Sequence, residues 1–211
     1  MGKSAIILAG GFSHRFGQDK GLLQLADKPL IKHVLDAIST LVDEQIVVAS
    51  SKVQAENYAK NIGSDANVFV DTAELHCPLV GALTGFKEAH GEYTVLLSCD
   101  TPFVSRDVVS LLFEICINRY AVIPRWPNGY IEPLQAVYRA KPAYEAAKNA
   151  LSEGKLNMQS LVDRLRSVRY VSTLVLQQLD PELRTFFNIN TPLDLKKAEK
   201  MLCYSSKMPR K

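Results

Sequence analysis

Short apolar runs that stop abruptly at glycine or aspartate alternate in this chain with longer segments of helical period. Residues 4–9 (Ser-Ala-Ile-Ile-Leu-Ala) stop at Gly10-Gly11, residues 67–70 at Asp71, and the most apolar run, residues 93–98, at Cys99-Asp100-Thr101-Pro102. Residues 45–49, 121–123 and 134–138 read as further strands, and 168–174 as an extended segment. Between them, 29–41 places apolar residues at Leu30, Ile31, Val34, Leu35, Ile38 and Leu41, with proline at the start, as an amphipathic helix does. Helices are also expected over 53–60, 79–89, 105–118 with Ser105 as N-cap, 141–151, 156–165 and 193–202. Strand followed by helix, repeated, buries every run only if a mostly parallel sheet is covered on both faces, which is a three-layer, Rossmann-like α/β fold. Ligands of such sheets gather outside the carboxyl ends of the strands. Gly10-Gly11, Asp71 and Asp100 all stand at such ends, and their coincidence locates a site.

The 211 residues suit one domain, expected over 1–203 with 204–211 as a basic tail. Lys207, Arg210 and Lys211 account for the net charge of +3, so the body is balanced and the overall basicity is no argument for a nucleic-acid partner. Four widely spaced cysteines (Cys77, Cys99, Cys116 and Cys203) form no CxxC pair, which excludes a zinc or disulfide framework as the organising principle. Cys99 and Cys116, inside apolar runs, read as core thiols. His14, His33, His76 and His90 have no ligand spacing. No leader is expected at the start, and no run approaches the ~20 apolar residues of a membrane span. The expectation is a cytoplasmic protein.

Leu8-Ala9-Gly10-Gly11-Phe12-Ser13-His14-Arg15-Phe16-Gly17-Gln18-Asp19-Lys20 follows the first strand. Paired glycines let the backbone turn and approach a phosphate with its N–H groups, and Arg15 and Lys20 add a planar fork and a point charge. Gly11 and Gly17 are one residue too far apart for a P-loop, Gln18 stands where its lysine should follow, and no Gly-x-Gly-x-x-Gly occurs. The string Leu-Ala-Gly-Gly, then Ser-x-Arg-x-Gly, then Asp-Lys is similar to the signature of GT-A-type nucleotidyltransferases, and within them resembles the molybdenum cofactor guanylyltransferases. Gly21-Leu22-Leu23-Gln24-Leu25 and Lys28-Pro29-Leu30 continue the likeness. So do Asp71, Pro78-Leu79-Val80-Gly81, Ser98 to Pro102, Glu132 to Tyr138, and Asn188-Ile189-Asn190-Thr191-Pro192.

A carboxylate after an apolar strand can bind Mg²⁺, or can simply turn the chain before Thr101-Pro102. The resemblance implies the former for Asp100, which would hold both nucleotide and Mg²⁺. It likewise implies that Leu8, Ala9, Gly10, Gly11, Lys20 and Asp71 contact the guanine nucleotide, and that Arg15, Lys20 and Asp100 carry catalysis. This chain has Ala49-Ser50-Ser51 where the family has an Asn near the end of the second strand, with Ser50 a partial substitute. Asn188 and Asn190, two apart in an extended segment, face the same way. They suit either a polar heteroaromatic ligand or an Asx turn before a helix capped by Thr191. With Glu132 they are the acceptor residues that the resemblance implies.

The implied reaction is transfer of GMP from GTP to the phosphate of molybdopterin, giving a guanine dinucleotide cofactor and pyrophosphate. Transient contact with cofactor-synthesis or molybdoenzyme proteins is a further implication. The alternatives are the same fold serving another base or acceptor (CTP with molybdopterin, phospholactate, cobinamide phosphate or a sugar phosphate) and a guanine-nucleotide sensor that turns nothing over.

Overall fold

A computed structural model describes residues 2–10, 12–13, 16–71 and 77–205 of the protein; Gly11, His14, Arg15, His76 and residues 206–211, with Lys207, Arg210 and Lys211, lie outside the described residues. Among the described residues the main sheet has seven strands: β1 (Lys3–Leu8), β2 (Glu44–Ala49), β3 (Asn67–Val70), β4 (Tyr93–Ser98), β5 (Ala121–Arg125), β6 (Ala136–Arg139) and β7 (Val168–Ser172). Their order across the sheet is β7-β5-β6-β4-β1-β2-β3. Only β6 runs antiparallel to its neighbours, so the sheet is mixed and mostly parallel, as expected.

The helices are α1 (Leu30–Ile38), α2 (Lys52–Ile62), α3 (Pro78–Glu88), α4 (Arg106–Cys116), α5 (Ala140–Ser152), α6 (Met158–Val162), α7 (Thr173–Leu176) and α8 (Pro192–Ser205). The segment expected as a helix over 156–165 is helical only at α6, and α8 continues through residues 204 and 205, which the sequence assigned to the tail. Ser105 caps α4 as expected, accepting a hydrogen bond from Val108 N. Thr191 caps α8 reciprocally: its hydroxyl accepts from Asp194 N, while its own N–H donates to Asp194 Oδ2 at 2.9 Å.

The period of two along each strand sorts side chains onto opposite faces. Ala5 and Ile7 of β1, with Val47, Val95 and Leu97, pack in one cluster with α1, α2 and α4. Ile6 and Leu8, with Val48 and Leu96, pack in the other with α3, α5 and α6. A third, smaller cluster joins Leu23, Leu25 and Leu30 to Ile189 and Ala198. It fastens the segment before α8 against the ribbon formed by Gln24–Leu25 and Lys28–Pro29. Cys99 and Cys116 are buried core thiols, and burial pushes the Cys116 thiol up to about 12.

The chain goes from β1 outward to β2 and β3, then returns to place β4 on the other side of β1. That reversal opens a crevice at the carboxyl ends of β1 and β4. Close approach of α3 to β1 deepens it. A Cβ added at Gly85 would lie 2.5–3.0 Å from the side chain of Ile6, which is completely buried. We expect Gly85→Ala to lower stability by ~1–3 kcal/mol through overpacking, and trimming the obstacle with Ile6→Val should return part of it. Urea midpoints of the three proteins test this; an unaltered midpoint in the single variant would mean that α3 does not bear on Ile6 as described.

Candidate active site

Backbone hydrogen bonds prolong the sheet beyond its strands and hold the loop starts at one rim. Ala9 N donates to Val48 O at 2.9 Å, Asp71 N to Ala49 O at 2.8 Å, and Cys99 N to Leu8 O at 3.1 Å. The three punctuated strand ends are therefore neighbours. Together they border a cleft of about 330 Å³ whose walls include Leu8, Gly10, Ser50, Asp71, Ser98 and Leu134. Cys77, Pro78 and Gly81 bring the start of α3 to the same cleft. Cys77 provides no side-chain cap there, so this wall presents the positive end of a helix dipole.

Beside the cleft lies a polar clasp. Lys20 Nζ donates to Asp100 Oδ2 at 2.6 Å and to Asn190 Oδ1 at 2.5 Å. Ser98 Oγ donates to the other carboxylate oxygen, Asp100 Oδ1, at 2.6 Å. Ile189 N donates to the Asp100 main-chain carbonyl at 2.9 Å, so the backbone of the 188–190 segment is tied directly to the loop after β4. Ile189 is fully buried while Asn188 and Asn190 are exposed, as the alternation of an extended segment requires. One lysine thus bridges residues that are 80 and 170 positions away in the chain.

A MobA-like NTP transferase domain model matches residues 5–169. The chain belongs to this nucleotidyltransferase family. It is 35% identical over 198 residues to a Methanosarcina mazei protein named probable molybdenum cofactor guanylyltransferase, covering 92% of this chain and 88% of the relative. A Desulfosudis oleivorans protein named molybdenum cofactor guanylyltransferase is 33% identical, with 93% and 94% covered. The crystal structure of molybdopterin-guanine dinucleotide biosynthesis protein A from Archaeoglobus fulgidus superimposes with a TM-score of 0.80 at 30% identity, covering 97% of this chain and 100% of that one. The family match ends before Asn188 and Asn190, but these long alignments cover nearly the whole chain.

Within this MobA-like scaffold the expected site residues separate into groups. Leu8, Gly10 and Asp71 border the cleft, and Lys20, Asp100 and Asn190 form the clasp. Gly11 and Arg15 lie outside the described residues. Ala9 is buried at the cleft end of its strand, and its carbonyl accepts from Gln54 Nε2 at 2.9 Å, which joins the strand to α2. Leu134 stands on the wall of the same cleft as Gly10 and Asp71. Glu132 accepts from Trp126 Nε1 at 2.7 Å, and burial pushes its carboxyl above the usual range. The Trp126 ring in turn meets Phe186, 5.7 Å between centroids, just ahead of the asparagine segment. Glu132 is therefore linked to Asn188 and Asn190 through two rings rather than by direct contact.

Sequence reasoning passed over the group that fixes Lys20. The preceding residue, Asp19, accepts from Gly21 N at 3.0 Å, and also from the Tyr58 hydroxyl and Gln54 Nε2. Gln54 Oε1 accepts from Ser50 N at 2.6 Å and from Ser50 Oγ at 2.8 Å. With both ends of its amide committed, Gln54 welds the loop after β2 to the Asp19-Lys20 turn. Gln54 thereby orients the Ser50 hydroxyl at the end of the second strand. The spacing of Gln54 and Tyr58, four apart on one helix face, was visible, but nothing in it named Asp19 as their partner.

Gly21 is needed for the same reason. A Cβ there would run into the Tyr58 hydroxyl and lie 3.1 Å from two of its ring carbons. Gly21→Ala should cost ~1–3 kcal/mol, and less in a Tyr58→Phe background, where the obstructing oxygen is gone. Tyr58→Phe alone should cost ~1 kcal/mol as Asp19 loses a donor. Chemical denaturation of the two single variants and the double variant measures the coupling; strictly additive costs would rule out this contact.

Proposed function

We propose that this nucleotidyltransferase transfers GMP from GTP to the terminal phosphate of molybdopterin, releasing pyrophosphate. The observation that carries the reading is the meeting of Lys20, Asp100 and Asn190 beside the cleft of a MobA-like domain. Relatives named for this reaction align over most of the chain. An oxygen of the acceptor phosphate attacks the α-phosphorus of GTP, the bond from the α-phosphorus to the bridging oxygen breaks, and pyrophosphate departs. A phosphate monoester is already ionised near neutral pH, so the nucleophile needs no general base, and the burden falls on alignment and charge neutralisation.

Leu8, Gly10 and Asp71 would receive the nucleoside in the cleft, and the Gly10-Gly11 turn would direct backbone N–H groups at the triphosphate. Lys20 would carry its charge from the clasp to the phosphates, joined by Arg15. Asn188 and Asn190 would orient the pterin, with Glu132 positioning them through Trp126 and Phe186.

Asp100 is the residue to hold Mg²⁺. Among the described residues no group of three or more His, Cys, Asp or Glu is placed to hold a metal ion. A carboxylate beside a triphosphate site fits an ion that takes its remaining ligands from phosphates and water. When bound, the ion supplies charge neutralisation at the departing pyrophosphate. Cytoplasmic operation accords with the free, buried thiols of Cys99 and Cys116, and no helix among the described residues is long and apolar enough to cross a membrane.

Pyrophosphate release with molybdopterin and Mg²⁺ should occur with GTP and fall to background with CTP or ATP. Turnover with CTP would overturn the base assignment, and silence with all three in protein that binds GTP would favour the sensor. Asp100→Ala and Lys20→Ala should each lower turnover by about 10²–10³-fold while thermal unfolding still shows one cooperative transition. Near-native turnover in either variant would remove that residue from the machinery.

A further inference from the structure

A groove of about 1050 Å³, larger than the nucleotide cleft, opens at the opposite end of the sheet. It lies where β4 begins: His90, Gly91 and Glu92 line it, and so does Arg139, the register partner of Tyr93 on β6. The six residues of β4 separate this pole from Asp100, about 20 Å at the rise of an extended strand. Nothing in the proposed reaction uses it.

Its chemistry is one-sided. Five Lys and Arg side chains line the groove against two glutamates, so it concentrates positive charge on a body whose remainder is nearly balanced. Three of the cations are spoken for: Arg139 pairs with Glu92 at 2.9 Å, Lys87 with Glu88 at 3.6 Å, and Arg164 with Glu153. Lys141 and Arg166 are exposed and have no ion-pair partner among the described residues. The first turn of α5 (Ala140, Lys141, Pro142) forms part of the lining, where Ala140 N donates to Glu92 O at 2.9 Å and Pro142 has no N–H to offer. Between the charges, the half-buried rings of Tyr120 and Tyr144 supply apolar surface.

We propose that this groove docks an acidic segment of a partner protein, one that carries apolar side chains between its carboxylates. A small anion would need its donors to converge on one point. Here the cations are spread along the walls, three of them paired with glutamates and Lys141 and Arg166 left open, which suits spaced carboxylates of one extended chain. The glutamates on the walls would oppose a continuous phosphate backbone but can be passed by a peptide with neutral residues at those positions. Because the groove is at the pole opposite the cleft, a docked partner leaves the nucleotide entrance open. The proposal is independent of which base or acceptor the enzyme uses.

The test is fluorescence anisotropy with a fluorescein-labelled peptide rich in Glu and Leu, alongside a Lys- and Leu-rich control, using the whole protein. The acidic peptide should bind, more weakly as salt rises, and the control should not. Lys141→Glu combined with Arg166→Glu should weaken binding by about tenfold or more and transfer preference to the Lys-rich peptide, with pyrophosphate release unchanged. The switch of preference is what a merely misfolded variant could not give. Absence of binding, or binding indifferent to the double reversal, overturns the proposal. Displacement of the peptide by inorganic phosphate or by a single-stranded oligonucleotide at equal charge concentration would also overturn it, by assigning the groove to a small anion or to nucleic acid.

Discussion

Asp100 is held from three directions, and the active end of the molecule is organised by how that is done. Its two carboxylate oxygens accept from Ser98 Oγ and Lys20 Nζ, and its main-chain carbonyl accepts from Ile189 N. A carboxylate at the rim of an apolar sheet must find donors or remain in water. Here the donors come from its own strand, from the glycine-loop region and from the segment before the last helix. Satisfying one polar residue therefore draws together three stretches that the sequence keeps far apart. The ion pair with Lys20 is only partly shielded, with side-chain exposures of 20% and 14%, so incoming phosphate can compete for the lysine.

Two further constraints keep that arrangement from slackening. On one side, Asp19 is gripped by Tyr58, Gln54 and Gly21 N, which fixes the backbone immediately before Lys20. On the other, Ile189 inserts into a small cluster with Leu23, Leu25 and Leu30, leaving Asn188 and Asn190 no choice but to face outward. The polar groups at the site are thus positioned by side chains that never touch it. Preorganisation of this kind suits a reaction whose nucleophile is already charged and whose main requirements are alignment and charge neutralisation. At the opposite pole of the sheet Lys141 and Arg166 are exposed without an ion-pair partner among the described residues, whereas Lys20 at the catalytic rim is paired.

The alternation of apolar runs and amphipathic helices determined the α/β class and the mostly parallel sheet. It also placed Gly10, Asp71 and Asp100 at strand ends, because burial on both faces demands continuous apolar strands and leaves polar residues only where strands stop. Local chemistry likewise determined the caps at Ser105 and Thr191, whose partners are three residues away. What only the tertiary structure decided were pairings across long stretches of chain: Lys20 with Asp100 and Asn190, Asp19 with Tyr58, Leu134 on the cleft wall and Glu132 on Trp126. Single-sequence patterns carry the period of an element and the chemistry of its ends. They do not carry the register or packing that brings distant ends together, because those follow from how the two faces of the sheet fill.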